Sequence, residues 1–191
     1  MRRQVLRLGL GLVWASAPIL RASAQAAVPA TPQDKAPPEI AAELPGARLQ
    51  GRGRMRFLGL PIYDIRLWAT APLAVGDDAS RVPLALELEY ARTLQGALIA
   101  ERSLTEMRRV GSFSDAQAER WQAAMTRLFP DVGRGDRLTG VQRPGQAARF
   151  HFNGMLRGEL DDADFSRLFF GIWLSPRTSE PALRLALLGL A

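Results

Sequence analysis

Apolar and polar positions alternate with a period of two from Ala47 to Leu58. Ala47, Leu49, Gly51, Gly53, Met55 and Phe57 fall on one side, and Arg48, Gln50, Arg52, Arg54, Arg56 and Leu58 on the other. That spacing predicts a strand with one apolar and one arginine-rich face. Ile62 to Ala69 predicts a second strand, with Tyr63, Ile65 and Leu67 together. Val82 to Tyr90 predicts a third, with Leu84, Leu86, Leu88 and Tyr90 opposite Glu87 and Glu89.

The period then lengthens. Leu94, Ala97, Leu98, Leu104 and Met107 fall on one helical stripe, and Gly111 closes that helix. Glu101, Thr105 and Arg108 fall inside the same stripe. Charges there must be paired, Glu101 with Arg108 or with a strand arginine, or must line a polar end of a cleft. Ser114 and Gln117 form a capping box, which opens a helix carrying Trp121, Ala124, Met125 and Leu128 and stopping at Pro130. Strands over Arg137–Gln142 and Ala147–Phe152 follow, joined at Pro144-Gly145, and Asn153-Gly154 marks the next turn. Asp161 or Asp162 caps a helix with Phe165, Leu168, Phe169, Ile172 and Trp173 at i, i+3, i+4, i+7 and i+8. Pro181 starts a last helix, ended by Gly189. The order β-β-β-α-α-β-β-α-α predicts an α+β domain, an antiparallel sheet with helices packed on one face.

Residues 1–24 read as an export signal. Arg2, Arg3 and Arg7 precede a mainly apolar run, Leu8 to Leu20, that is too short to span a bilayer comfortably, and Ala22-Ser23-Ala24 forms a small-x-small cleavage site. Arg2-Arg3 also suits a twin-arginine signal, so the general secretory and twin-arginine routes both stay open. Either delivers the chain outside the cytoplasm, into the periplasm of a bacterium, with no stable membrane span after cleavage. Residues 25–43 hold Pro29, Pro32, Pro37 and Pro38 among alanines, which predicts an extended linker. The folded domain is expected over 44–191.

Composition removes several classes of chemistry. With no cysteine, one histidine and one lysine in 191 residues, no cofactor or metal site is expected. His151 lies between Phe150 and Phe152, points away from both, and has no second histidine nearby for a metal. Loss of the four arginines at 2, 3, 7 and 21 lowers the formal net charge from +6 to +2, so a nucleic-acid partner loses its electrostatic basis. Helix capping accounts for Asp161, Asp162 and Asp164. Trp173 and Phe169 fit either a core or an apolar cleft wall.

The order of elements and several strings resemble the chalcone isomerase family, in its bacterial, exported, isomerase-like branch. The strings are Gly51-x-Gly53 followed by Ile62 to Trp68, Val110-Gly111-Ser112-Phe113-Ser114-Asp115-Ala116, Leu128-Phe129-Pro130 with Gly135-Asp136, Ile172-Trp173-Leu174, and Glu180-Pro181-Ala182-Leu183. The resemblance implies an open-faced sandwich with a ligand cleft between sheet and helices. In the plant isomerases a strand Arg, a strand Thr, a helix Tyr and Asn, and a late-helix Thr close a flavanone ring. On this resemblance the place of the Arg is open between Met55 and its neighbours Arg54 and Arg56, and the other four fall here on Tyr63, Gln95, Arg102 and Ile172. The substitutions imply a non-catalytic member. Other branches hold a fatty acid carboxylate with an Arg and a Tyr, which here would be Arg54 or Arg56 with Tyr63. The expected ligand-binding set is Arg54, Arg56, Tyr63, Gln95, Glu101, Arg102, Ile172 and Trp173, and the expected partner is a small amphipathic molecule such as a fatty acid. Two other readings stay open: an isomerase with a rearranged set of Arg54, Tyr63 and Arg102, and a protein-interaction module using the Arg face of the first strand.

Overall fold

A computed structural model describes residues 35–191. The expected export signal and residues 25–34 lie outside the described residues. The sheet has six strands in chain order, all antiparallel: β1 (Arg48–Phe57), β2 (Leu60–Ala69), β3 (Leu84–Tyr90), β4 (Arg137–Gln142), β5 (Ala148–Phe152) and β6 (Met155–Leu160). Among the described residues five α-helices accompany it: α1 (Pro38–Glu43), α2 (Gly96–Val110), α3 (Asp115–Leu128), α4 (Ala163–Leu174) and α5 (Pro181–Leu187). The α+β expectation holds, with β6 and α1 as additions. Asn153-Gly154 is the turn between β5 and β6, both residues having positive φ.

The inner face of the sheet forms apolar rows across its strands. Leu67, Leu86, Gly140 and Phe150 are successive neighbours in one row, and Ile65, Leu88, Leu138 and Phe152 in the next. Onto these rows α4 lays Phe165, Leu168, Phe169 and Ile172, all buried. Asp162 caps α4 by accepting from the Phe165 N–H at 3.0 Å, and its second oxygen accepts from Trp121 Nε1 of α3 at 2.8 Å. The Ser114–Gln117 capping box opens α3.

One correction comes from β1. The pairing slips between Leu49 and Gly51, so Gln50 is an extra residue and the faces exchange there. Ala47 and Leu49 consequently pack on the outer face with Trp68, whereas Met55 joins the inner core. Gly51 and Gly53 lie against α5, where a Cβ on Gly51 would strike the carbonyl oxygens of Ala186 and Leu187. The helix is seated on the bare backbone.

The linker expected over 25–43 is corrected at its end. Pro38–Glu43 is helical and lies on the outer face, with Ile40 and Leu44 buried against Trp68, Ala85 and Val141. Its acids are sequestered among basic groups of the sheet. Glu39 meets Arg137 at 3.0 Å, and Arg137 also meets Glu87 at 3.2 Å. Glu87 accepts from Arg66 at 3.1 Å and from Trp68 Nε1 at 2.9 Å. Glu43 meets Arg149 at 2.8 Å and His151 at 3.4 Å. His151 does point away from the phenylalanine side, as its place in β5 requires.

Ile40→Ala is expected to destabilise the fold by about 2–5 kcal/mol, the range for a buried aliphatic truncation, measured by urea unfolding. A loss below about 0.5 kcal/mol, the surface-residue range, would show an undocked helix. Burial lowers the His151 pKa, with Glu43 opposing. The folded value lies below the unfolded value of about 6.5, so the unfolded chain takes up more protons. This contribution to stability is full above about pH 6.5 and falls away as pH drops below it. His151→Gln should flatten that part of the pH profile of the urea midpoint; an unchanged slope would exclude His151 as its source.

Candidate functional site

A cavity of about 320 Å³ lies between the inner face of the sheet, α2 and α4. Its floor is apolar: Leu86, Leu88, Leu138, Gly140 and Phe150 from the sheet, with Phe129 and Phe169 beside them. Gly140 keeps the floor flat, since a Cβ there would come within 3.4 Å of the Phe150 and Phe170 rings. The mouth opens between Phe57 and Ile62 of the first hairpin, Leu98 and Arg102 of α2, and Ser179 and Glu180 before α5.

The polar groups gather around Tyr63. Its hydroxyl accepts from Trp173 Nε1 at 3.0 Å, which leaves its own proton to donate into the cleft. Glu180, Glu106 and Arg102 all act electrostatically on it. Burial is the main cause that pushes the Tyr63 hydroxyl up to about 12, and burial raises Tyr90 beside it as well. Both phenols therefore stay protonated at neutral pH and act as donors rather than bases. Glu106 is buried, with Arg102 at 2.7 Å and Arg109 at 3.4 Å. The Arg102 contact is not aligned as a hydrogen bond, so Glu106 Oε1 keeps an acceptor position unfilled.

Of the residues expected at the site, Tyr63, Arg102, Ile172 and Trp173 line the cavity. Arg54, Arg56, Gln95 and Glu101 do not. Arg54 forms a two-point pair with Asp64 at 2.6 and 2.8 Å on the other side of β1, and Arg56 donates to the Gly59 carbonyl at 3.1 Å. The cleft-facing residue between them is Met55. Gln95 is exposed at the N-cap of α2. Glu101, Thr105 and Arg108 are exposed too, because the buried side of α2 runs through Ala100, Ser103, Glu106, Met107 and Val110. Arg108 pairs with Asp115 at 3.3 Å and not with Glu101. The set proposed for a rearranged isomerase is likewise split, with Tyr63 and Arg102 in the cleft and Arg54 outside it.

Glu106, Glu180 and Tyr90 line the cleft beyond the expected set. Tyr90 was legible, since it shares the period-two face of Leu86 and Leu88. Glu106 was not, because a charged residue one position before Met107 reads as solvated. No group of histidines, cysteines and acids able to hold a metal exists among the described residues.

Three comparisons bear on the origin of this architecture. The crystal structure of the Arabidopsis thaliana fatty-acid binding protein AtFAP1 superposes with a TM-score of 0.60, at 15% identity, over 75% of this chain and 87% of that one. At that identity the likeness concerns the fold alone. An uncharacterized protein of Haemophilus influenzae is 29% identical over 107 residues, which are 56% of this chain. The match spans about half of that relative, 52% of its length. A sequence model described as chalcone isomerase-like matches residues 49–189. That span includes α2 to α5, the whole cleft wall and all of the sheet except Arg48, and the chain belongs to the chalcone isomerase-like family.

Proposed function

We propose that this protein binds a small amphipathic molecule in the cleft without transforming it. The observation that carries the reading is the cavity itself: an apolar floor with donors and charges collected around Tyr63. Its volume of about 320 Å³ falls at the lower end of the roughly 300–1,000 Å³ found for small-ligand sites. The fatty-acid binding named for AtFAP1 supports a long-chain acid as the first candidate. Its tail would lie over Gly140 and Leu138, and its carboxylate would meet Arg102 and the Tyr63 hydroxyl.

One observation favours a second reading of the head group. Arg102 is already neutralised by Glu106, and Glu180 stands on the same wall. An uncharged head, such as an alcohol, would avoid repulsion from these acids and could donate to Glu106 Oε1. Export to the periplasm is also part of the proposal, supported by the basic, apolar and small-residue order of residues 1–24. No helix among the described residues is long and apolar enough to cross a membrane.

Competition against a fluorescent long-chain acid tests the binding reading, with acids and alcohols of equal chain length as competitors. Ile172→Trp should weaken binding at least tenfold by filling the cavity, whereas Arg54→Ala should leave it unchanged. If the ligand is an acid, Arg102→Ala should cost about 1.5–3 kcal/mol, the range for a hydrogen bond to a charged group. No saturable binding, or affinity indifferent to Ile172→Trp, would reject the cleft as the site. Export predicts that the protein recovered from a periplasmic fraction begins at Gln25; recovery with residues 1–24 intact in the cytoplasm would refute it.

A further inference from the structure

The two β-hairpin turns at this end of the sheet contrast in chemistry. The β5–β6 turn uses Asn153-Gly154, the pair that tolerates positive φ best. The β1–β2 turn uses Leu58-Gly59, with Leu58 at φ 50° and Gly59 at φ 80°. A leucine in the left-handed region is unfavourable by roughly 1–2 kcal/mol relative to an ordinary backbone. It gains no burial in return, because Leu58 is 86% exposed. Phe57 and Leu60 beside it are 57% and 56% exposed. Leu98 on α2, 55% exposed, adds a fourth apolar side chain across the cleft mouth, which Phe57 also lines. The fold therefore pays conformationally to present an apolar, convex tip at the entrance of its cavity.

Guanidinium groups lie at the same end of the sheet as that tip. Arg56 is fixed there by its bond to the Gly59 carbonyl, whereas Arg102 on the rim is already paired with Glu106. The Ala91 N–H donates to the Ile62 carbonyl at 2.9 Å, which brings Arg92 to the same end of the sheet, and Arg134 Nε donates to the Ala91 carbonyl at 3.3 Å. Arg92 and Arg134 are exposed. Protruding aliphatic and aromatic side chains, with Arg56 at the turn and further arginines at the same end of the sheet, match the boundary between acyl chains and anionic headgroups. A groove or a flat face would suit a protein partner better than this narrow point does. We propose that the β1–β2 tip docks on an anionic lipid bilayer and holds the cleft mouth against the membrane surface, from which an amphipathic molecule enters.

The chain has no cysteine, so Leu58→Cys in the full protein gives one site for a polarity-sensitive fluorophore. The control is Gln146→Cys, in the β4–β5 turn at the opposite end of the sheet. On phosphatidylglycerol–phosphatidylcholine vesicles, the label at 58 should shift to the blue and brighten several-fold, with a smaller change on phosphatidylcholine alone. The label at 146 should not respond, and adding Leu60→Asp should remove most of the response at 58. A silent label at 58, or equal responses at 58 and 146, would overturn the proposal. A response at 58 that grows with protein concentration in the absence of vesicles would assign the tip to a second copy of the chain instead. Acid displacement measured without vesicles on the same variants reads the cleft separately, so loss of docking and loss of binding are distinguishable.

Discussion

A wedge of aromatic rings between α4 and the sheet sets the separation of the two layers. Phe165 and Phe169 stack at 5.3 Å, and Phe150 meets both edge-on, at 6.2 and 5.2 Å. Trp173 continues the row, 5.7 Å from Phe169, and is fixed at its far side by the Tyr63 hydroxyl. Protein interiors pack densely and close over gaps when side chains can move. Rigid rings held at their edges cannot close this one. An unfilled interior volume lowers stability, and a guest that occupies it restores the lost contacts. The cavity is thus the consequence of a rigid wedge, and its occupation the natural way to recover the stability it withholds.

The outer face solves a different problem. Strands buried on one side present their other side to water, yet here Trp68, Ala85 and Val141 are apolar outward. Helix α1 covers them with Ile40 and Leu44. Its position brings Glu39 and Glu43 onto a sheet surface rich in arginine, where each acid finds a cation. Buried ion pairs contribute little net stability when compared with apolar packing, but a misplaced helix would leave several charges unpaired. The apolar contacts supply the attraction, and the charges specify one docking position.

What could be read from the chain alone was whatever depends on near neighbours in sequence. The alternation of Leu84, Leu86, Leu88 and Tyr90, the i, i+3, i+4 stripe of α4 and the Ser114 capping box are local patterns, and all three stand. The first strand misled because one extra residue, Gln50, exchanges its faces; no local signal separates a bulge from an unbroken alternation. Helix α2 misled for a related reason. It divides its inner side between two tasks: Ala100, Met107 and Val110 pack into the core, Ile99, Ser103 and Glu106 line the cleft, and Leu98 is left at the mouth. A stripe chosen by hydrophobicity alone is rotated away from the true inner side. Helix α1 has six residues, too few to show a period, and its proline-rich surroundings read as a linker. Strand β6 is an edge with Met155 and Leu156 exposed, and its composition carries no alternation.

Met55 is the side chain that β1 turns to the cleft between two arginines, and those arginines are turned to the other side of the strand. The resemblance implies an arginine at or beside this place in the plant isomerases, and here the cleft receives a thioether from it. Closing a ring from a phenolate requires a cation to hold the nucleophile and donors aimed at the developing charge. The remaining cation, Arg102, faces a buried carboxylate at 2.7 Å. Ile172 offers no hydroxyl where the resemblance implies a threonine, and the tyrosines carry raised pKa values that keep them from removing protons. Each of these features limits the capacity of the cleft to stabilise charge, while its floor is apolar and open. Such a site discriminates by shape and by a few hydrogen bonds, which supports recognition of an amphipathic molecule over its conversion.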